Sequence, residues 1–219
     1  MPERHRIYLI DDHPLVREGL TNLINQQPNL HVCGESEDGA RALRDIAEHE
    51  PDVAIVDISL KSGSGLELIK TLKARHPRVA VIALSMHDEK LYAERTIRAG
   101  ARGYVMKRES TKRIVGAIHQ VMAGKLAISE QMMSILAQRF VLGPRESAKS
   151  PIEQLSDREL EVFNLLGQGL ETRKIAEMLN VSIKTVQAYC VRIKQKLELT
   201  TATELLREAV RWNEREAGG

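Results

Sequence analysis

The sequence predicts an α/β domain, built on a doubly wound five-stranded parallel sheet, followed by a small all-α domain. Up to about residue 124, five short β-rich runs alternate with helical patterns, which is typical of parallel strands covered by helices on both faces. Residues 153 to 213 look helical throughout. A chain of 219 residues is long for one compact domain and sufficient for two.

The predicted strands are short runs of apolar and β-branched residues at 7–10, 30–34, 53–56, 79–84 and 103–106. The runs at 53–56 and 79–84 are unbroken apolar stretches, as expected for central strands that are buried on both faces. Helical patterns follow the five strands at Leu15–Gln26, Gly39–Glu48, Gly65–Arg75, Lys90–Ala99 and Thr111–Ala123. The order therefore predicts five consecutive βα units.

Residues 125–152 are predicted to connect a first domain, 1–124, to a second, 153–219. Glu130 to Phe140 has a helical pattern, whereas Val141 to Pro151 contains the glycine and prolines of a flexible linker. Such a linker leaves the relative placement of the domains undetermined by the sequence.

The second domain is predicted to contain four helices. Ser156 and Glu159 have the spacing of a capping box, in which each residue satisfies the other's backbone N–H at the start of a helix. This helix is expected to end near Leu166, before two glycines. The second helix is expected to be capped by Thr172 and to run through Leu179. The third is expected to be capped by Ser182 and to run from Ile183 to Leu197. The fourth is expected to start at Thr201 or Thr203 and to end near Trp212.

The composition restricts the classes of function. Apolar residues make up 42% of the chain but aromatic residues only 3%, which argues against a large aromatic-lined ligand pocket. Cys33 and Cys190 are far apart, so neither a disulfide framework nor a zinc site is indicated, and a reducing compartment is favoured. Without an apolar signal region or a membrane-spanning run, the protein is expected to be cytoplasmic.

Polar residues stand at the ends of four predicted strands. Asp11 and Asp12 follow the first strand, Asp57 the third, Ser85 the fourth and Lys107 the fifth. Because the carboxyl ends of parallel strands converge on one crevice, these side chains are expected to meet. Taken singly, each aspartate could merely cap the helix that follows it, but five such residues together favour a shared site.

This set of side chains indicates phosphoryl transfer. Three neighbouring carboxylates stay ionised together only if a cation compensates their charge, and oxygen ligands with few protein donors suit Mg²⁺. A carboxylate screened in this way can act as a nucleophile toward phosphorus. Lys107 would neutralise charge on the phosphoryl group, and the Ser85 hydroxyl would donate a hydrogen bond to it.

The residues Asp11-Asp12-His13-Pro14, Asp57, Ser85 and Gly103-Tyr104-Val105-x-Lys107 resemble the receiver domain of bacterial two-component response regulators, over residues 6 to about 122. The resemblance implies a flavodoxin-like fold and phosphoryl transfer from a sensor histidine kinase to Asp57. It also implies that Mg²⁺ is held by Asp12, Asp57 and the backbone carbonyl of Ser59, with Asp11 acting through water.

By the same resemblance Ser85 and Tyr104 form a switch pair, in which a hydroxyl drawn to the phosphate lets an aromatic ring turn inward. The loop after Asp57 departs from the family pattern, because Ser59-Leu60-Lys61-Ser62-Gly63 stands where many receivers carry Met-Pro. This departure is expected to affect loop dynamics and the rate of dephosphorylation rather than the chemistry.

A basic cluster lies in the second domain. Between Thr172 and Lys196 the chain has six basic residues and one acidic residue, Glu177. A solvated helix face would explain the charge alone, but a helix to Leu179, a short turn and a helix from Ile183 form a helix-turn-helix pattern. The cluster therefore favours a polyanionic partner.

The last of these helices has two distinct faces. Val186, Cys190, Ile193 and Leu197 form a core stripe, so Cys190 is interpreted as a packed core residue rather than a redox sensor. The other face carries donors, acceptors and small groups of the kind that read base edges. Its residues are Lys184, Gln187, Ala188, Val191, Arg192 and Gln195.

The second domain resembles the LuxR-type DNA-binding domain through Leu155-Ser156-x-Arg158-Glu159-x-Glu161-Val162, Gly169, Ile175-Ala176, Leu179, Ser182, Thr185-Val186, Ile193 and Lys196-Leu197. The whole chain thus resembles a NarL/FixJ-type response regulator. This implies that Lys184, Gln187, Ala188 and Val191 face the groove and that Thr185, Arg192 and Lys196 lie near phosphates. Glu171-Thr172-Arg173-Lys174 departs from the commoner Ser-Asn-Lys-Glu, which makes this helix start more basic, and Thr172 and Arg173 are expected to contact DNA. Gln187 replaces a common lysine, which makes adenine a candidate target.

We therefore interpret the chain as a phosphorylation-controlled transcription factor rather than an enzyme. A histidine kinase would be its phosphodonor, promoter DNA its target, Mg²⁺ its cofactor and a homodimer its activated state.

Three alternatives remain open. An aspartate-nucleophile phosphatase would need a second acid two residues after Asp57, where Ser59 stands. A quorum-sensing regulator would need aromatic residues around its ligand, and residues 1–125 contain only Tyr8, Tyr92 and Tyr104. A regulator that binds DNA without phosphorylation is disfavoured by the Asp57, Ser85 and Lys107 set but is not excluded.

Overall fold

The computed structural model describes residues 4–61, 63–109, 111–142 and 150–218. The chain divides into two compact units, of which the first ends at Leu136 and the second begins at Ala137. The boundary falls inside the predicted connector. None of the helices in the described ranges is long and apolar enough to cross a membrane.

The first unit contains the predicted five-stranded sheet. Its strands are β1 His5–Ile10, β2 Leu30–Ser36, β3 Val53–Asp57, β4 Ala80–Ser85 and β5 Gly103–Met106. All neighbouring strands are parallel, and their order is β2-β1-β3-β4-β5. Every residue of β3 and β4 is buried, which confirms that the two unbroken apolar runs are central strands.

Five helices cover the sheet, each within about two residues of its predicted bounds. They are α1 Pro14–Asn25, α2 Gly39–His49, α3 Gly65–Arg75, α4 Glu89–Ala99 and α5 Thr111–Met122. Side chains cap three of them, because Asp38, Ser64 and Asp88 accept hydrogen bonds from first-turn N–H groups of α2, α3 and α4. The core between the layers is mainly aliphatic, as the composition predicts.

The segment after α5 is hydrogen-bonded to the edge of the sheet. Ala127 bridges β5 by accepting from the Tyr104 N–H at 2.9 Å and donating to the Arg102 carbonyl at 2.8 Å. The next helix, α6 Glu130–Leu142, is capped by Ser129, whose Oγ accepts from the Met132 N–H. The predicted linker falls largely on residues 143–149, which lie outside the described ranges.

The second unit is helical, as predicted. After a 3₁₀ turn at Pro151–Gln154 it contains α7 Asp157–Gly167, α8 Thr172–Met178, α9 Ile183–Lys196 and α10 Ala202–Gly218. The capping box at the start of α7 is confirmed, because Ser156 Oγ accepts from the Glu159 N–H and Glu159 Oε2 accepts from the Ser156 N–H.

Two predicted helix ends are wrong. Thr172 is the first residue inside α8, and its extended predecessor Glu171 occupies the cap position without a side-chain hydrogen bond. The last helix continues beyond Trp212 to Gly218, and Asn213 in this extension donates to the Asn164 carbonyl at 2.9 Å. Its start agrees with the Thr201 alternative, since Thr201 Oγ1 accepts from the Glu204 N–H.

We expect Gly65→Ala to destabilise the first unit by about 1–3 kcal/mol, because the added Cβ would overlap the Asp57 carbonyl oxygen and the backbone of Ile58. The matched substitution Gly19→Ala lies in the exposed middle of α1 with open space around it, and should stabilise by about 0.5–1 kcal/mol. Differential scanning calorimetry of the full-length variants measures both changes. Equal effects of the two substitutions would contradict the close approach of α3 to β3.

Candidate functional site

The five predicted strand-end residues lie together in the structure. Asp57 ends β3 and Ser85 ends β4, whereas Asp11 and Asp12 follow β1, and Lys107 follows β5. The Lys107 ammonium nitrogen lies 2.6 Å from Asp57 Oδ2 and 2.7 Å from Asp11 Oδ2. All three carboxyl groups are buried, and that of Asp57 is 1% exposed. The crevice is therefore an acidic site closed by one lysine.

Charge in this crevice is controlled by burial and by the ion pair. Burial raises the pKa of Asp57, and the nearby Asp11 adds to this, although Lys107 opposes both. Burial alone would lower the pKa of Lys107, but Asp57 and Asp11 outweigh it and raise that pKa. Lys107 is thus held as a cation. Its single positive charge does not balance three ionised carboxylates, so a further cation would be favoured there.

The residues present fit a divalent cation. Ligand atoms of Asp11, Asp12, His13 and Asp57 all lie within 4.8 Å of one another. Oδ2 of Asp11 and Oδ1 of Asp12 are buried oxygens without a geometrically sound hydrogen bond from the described residues, although Lys107 and His13 lie close. Hard oxygen donors of this kind suit Mg²⁺. The Ser59 N–H donates to Asp57 Oδ1 at 2.9 Å, and ligation by the Ser59 carbonyl stays a prediction.

Two neighbours of this site were missed by sequence reasoning. Nδ1 of His13 lies 2.8 Å from Asp12 Oδ1 and 3.0 Å from Asp11 Oδ1. The Lys61 N–H donates to Asp12 Oδ2 at 3.0 Å, and its ammonium group lies 3.6 Å from the same oxygen. Adjacency to the aspartate pair was a usable signal for His13, whereas the position of Lys61 depends on the folding of the loop.

The predicted switch pair is linked through one loop residue. Ser85 Oγ accepts from the His87 N–H at 2.9 Å, and the Tyr104 hydroxyl donates to the His87 carbonyl at 2.7 Å. The Tyr104 ring is already turned inward, with 1% of the residue exposed. The His87 ring stacks on Tyr92 with centroids 4.6 Å apart, and burial lowers the pKa of His87 to about 4.

The helix-turn-helix face is also formed as predicted. All six residues predicted on this face of α9 are exposed, and Val191 among them is 49% exposed; they are Lys184, Gln187, Ala188, Val191, Arg192 and Gln195. On the opposite side Val186 and Ile193 are fully buried, whereas Cys190 and Leu197 are half-buried. Burial raises the pKa of the Cys190 thiol, which disfavours the reactive thiolate.

The remaining predicted contacts lie around this face. Thr185 is half-buried, with Oγ1 2.8 Å from Ser182 Oγ, and Thr172 is half-buried at the start of α8. Arg173 is exposed and forms only a loose pair with Glu177, at 3.8 Å, which leaves its charge available. Tyr189, which sequence reasoning missed, lies under the Arg192 guanidinium at 5.9 Å from the ring centroid.

Lys196 has a structural role that the sequence did not reveal. Its ammonium nitrogen lies 2.6 Å from Glu159 Oε2 and 3.1 Å from the Gln154 carbonyl oxygen. Burial would raise the pKa of Glu159, but hydrogen bonds from Lys196 and Ser156 outweigh it, so that this pKa lies below its ordinary value. The predicted phosphate contact of Lys196 stays a prediction, and its charge is already partly offset.

We expect Lys196→Ala to lower the free energy of unfolding of the second unit by about 1–2 kcal/mol, because it leaves the Glu159 carboxylate buried without its cation. Lys184→Ala, on the exposed face, should leave stability unchanged. The lowered pKa of Glu159 means that its stabilisation is complete above about pH 5 and is lost as pH falls through the folded-state pKa. The difference between wild type and Lys196→Ala should therefore vanish in acid, as measured by urea unfolding. Equal stability of Lys196→Ala and Lys184→Ala at pH 7 would refute the structural role.

Comparison with known proteins identifies the families to which both parts of the chain belong. The family described as response regulator receiver domain matches residues 7–119, and the family described as bacterial regulatory proteins, luxR family, matches residues 153–209. The receiver match overturns the quorum-sensing alternative, because it leaves no separate ligand-binding domain in residues 7–119.

Relatives with known names match almost the whole chain. The oxygen regulatory protein NreC of Staphylococcus carnosus is 34% identical over 210 residues, which cover 94% of this chain and 97% of NreC. A structure of the RcsB response regulator of Salmonella typhimurium, concerned with DNA interaction, is 25% identical with a TM-score of 0.77, covering 95% of this chain and 98% of RcsB. RcsB bound to a promoter in the presence of the phosphomimetic BeF₃⁻ is 26% identical with a TM-score of 0.71, covering 94% and 98%.

Proposed function

Because the chain belongs to the NarL/FixJ family of two-component response regulators, which are DNA-binding transcription regulators rather than enzymes, we propose that it is controlled by phosphorylation of Asp57. The observation that carries this proposal is the geometry of the acidic crevice. A buried carboxylate stands at the end of a central strand, and a lysine held as a cation lies 2.6 Å from it. A histidine kinase would supply the phosphoryl group.

Each side chain of the crevice has a role in the transfer. Asp57 attacks phosphorus, the bond from phosphorus to the kinase histidine nitrogen breaks, and an acyl phosphate forms. Lys107 offsets the charge of the new phosphoryl group, and Ser85, whose Oγ accepts from the His87 N–H, donates its own O–H to one of the phosphoryl oxygens. Asp12, Asp57 and the Ser59 carbonyl would hold Mg²⁺, with Asp11 acting through water, and the ion would supply screening of the negative charges.

The link through His87 supports a population shift on phosphorylation. Movement of Ser85 toward the phosphoryl group removes the acceptor of the His87 N–H, and the Tyr104 hydroxyl holds the carbonyl of the same residue. The loop that contains His87, between β4 and α4, is therefore the element whose position would depend on phosphorylation. A change from mostly inactive to mostly active needs roughly 3–5 kcal/mol of differential stabilisation, which charge-assisted contacts can supply. We propose that the favoured state is a homodimer.

We expect phosphorylation at Asp57 alone, and only with Mg²⁺ present. Incubation with a small phosphodonor and measurement of intact mass should show one added phosphoryl group in wild type and none in Asp57→Asn, because an amide is not a nucleophile. Glu48→Gln, an exposed carboxyl change on α2, is the matched control and should be modified like wild type. A full adduct on Asp57→Asn would disprove the assignment.

The same preparations decide whether phosphorylation matters for DNA binding. Sedimentation and duplex affinity with and without the phosphate mimic should both change in wild type. Lys107→Ala should accept phosphate but respond weakly, since the charge that reports it is gone. No change in wild type would favour the regulator that acts without phosphorylation.

We propose further that α9 reads promoter DNA in the major groove. The proposed contacts are Lys184, Thr185, Gln187, Ala188, Val191, Arg192 and Lys196, with Thr172 and Arg173 from α8. A dimer would bind two half-sites about one helical turn, roughly 10 bp, apart. By resemblance, the dimer face of this unit is α10 between Ala202 and Trp212.

Gln187 and Lys184 should separate specificity from charge. Gln187→Ala should weaken binding to the preferred site by about 1–3 kcal/mol, because the Gln187 amide pairs with adenine as donor and acceptor. The affinity for random DNA should change little. Lys184→Ala should weaken binding to all DNA sequences similarly. It should also reduce the slope of log affinity against log salt concentration by about one unit. Fluorescence anisotropy over a salt series measures both. Equal losses for Gln187→Ala on both DNAs would make Gln187 a backbone contact.

A further inference from the structure

The exposed face of α9 carries two large apolar side chains. Ile183 is 43% exposed and Val191 is 49% exposed, whereas the core residues of the same helix, Val186 and Ile193, are fully buried. Ile183, Gln187 and Val191 follow one another at intervals of four residues, so they form one stripe along the helix. The two apolar groups therefore flank the amide of Gln187 on a surface that contributes nothing to the core.

Cations lie beside this stripe. Lys184 and Arg192 are the next residues after Ile183 and Val191, and both are exposed. An apolar partner surface would leave these charges without compensation, whereas a duplex offers phosphates to them. Within the major groove the exposed apolar group is the C5-methyl of thymine. The charge pattern therefore selects DNA as the occupant and thymine as the base that meets the apolar side chains.

We propose that Ile183 and Val191 are specificity-determining residues that read thymine methyl groups on either side of the base pair contacted by Gln187. The inference rests on the proposed binding of duplex DNA by α9 and assigns it a base preference, with Ile183 as a contact outside the set expected from the sequence. Eight residues of helix span about 12 Å, which equals three to four base-pair steps of about 3.4 Å. The two thymines should therefore be about three or four base pairs apart in each half-site.

Deoxyuridine substitution tests this directly, because it removes the methyl group and keeps the pairing edge of thymine. The full chain, with Mg²⁺ and beryllofluoride, is used to select its preferred duplex from a library with a randomised centre. Each thymine of that duplex is then replaced singly by deoxyuridine. In wild type, loss of one buried methyl should weaken binding about threefold to fivefold at two positions per half-site. Other thymines should be insensitive.

The variants assign each methyl to a side chain. For the Ile183→Ala variant, replacing thymine by deoxyuridine at one of the two sensitive positions should no longer change the affinity. For Val191→Ala, the same should hold at the other sensitive position. Lys184→Ala is the matched control, because it should weaken both duplexes and keep the wild-type ratio between them.

Two outcomes would overturn the inference. If a duplex is selected but no thymine is sensitive, or if both variants keep the wild-type ratios, the reading of methyl groups is wrong while DNA binding by α9 stands. If no duplex is enriched, specific DNA binding and the inference fall together.

Discussion

The contact of Lys107 with Asp57 and Asp11 is the interaction on which the first site depends. Parallel strands bring three carboxyl groups to one edge of the sheet, where burial opposes their ionisation and each raises the energy of the others. A single ammonium group, which contacts two of them, offsets part of this repulsion in the unphosphorylated crevice. Under the proposed phosphorylation of Asp57, the same group would become the counter-charge of the acyl phosphate. The residue that stabilises the resting crevice would then also be the residue that senses its modification.

The first site is connected to the connector segment, residues 125–152, through one backbone hydrogen bond and one bond from a backbone N–H to a side-chain carboxylate. Tyr104, whose hydroxyl holds the His87 carbonyl, donates its own N–H to Ala127. Glu89, two residues beyond His87, accepts from the N–H of Ser129 at the start of α6, in the role that Glu159 has within the capping box of α7. Two elements around the switch therefore hold the segment that leads out of the receiver unit.

The sequence predicted the parts of the structure that follow from local pattern. The carboxyl ends of parallel strands converge at one edge of the sheet, so Asp11, Asp57, Ser85 and Lys107 could be grouped from the sequence alone. Contacts between residues distant in the sequence have no such pattern. Lys61 reaches Asp12 across 49 residues and depends on the course of the loop after β3, whereas Lys196 reaches Glu159 across 37 residues and depends on how α9 packs against α7. The cap of α8 was misplaced for a related reason, because Thr172 favours a cap position only where the backbone there is extended.

If α9 binds DNA as proposed, its exposed face divides affinity and specificity between different side chains. Contacts to phosphates are similar on every sequence, so basic residues raise affinity without distinguishing sites. One basic residue of the cluster, Lys196, is partly engaged in holding Glu159, which reduces the charge left for DNA. Under the proposed DNA binding, discrimination would fall to the uncharged residues of the exposed stripe, an amide between two apolar groups. Such a surface would gain little from random DNA, because an amide needs its matching base edge and an apolar group needs a methyl group opposite it.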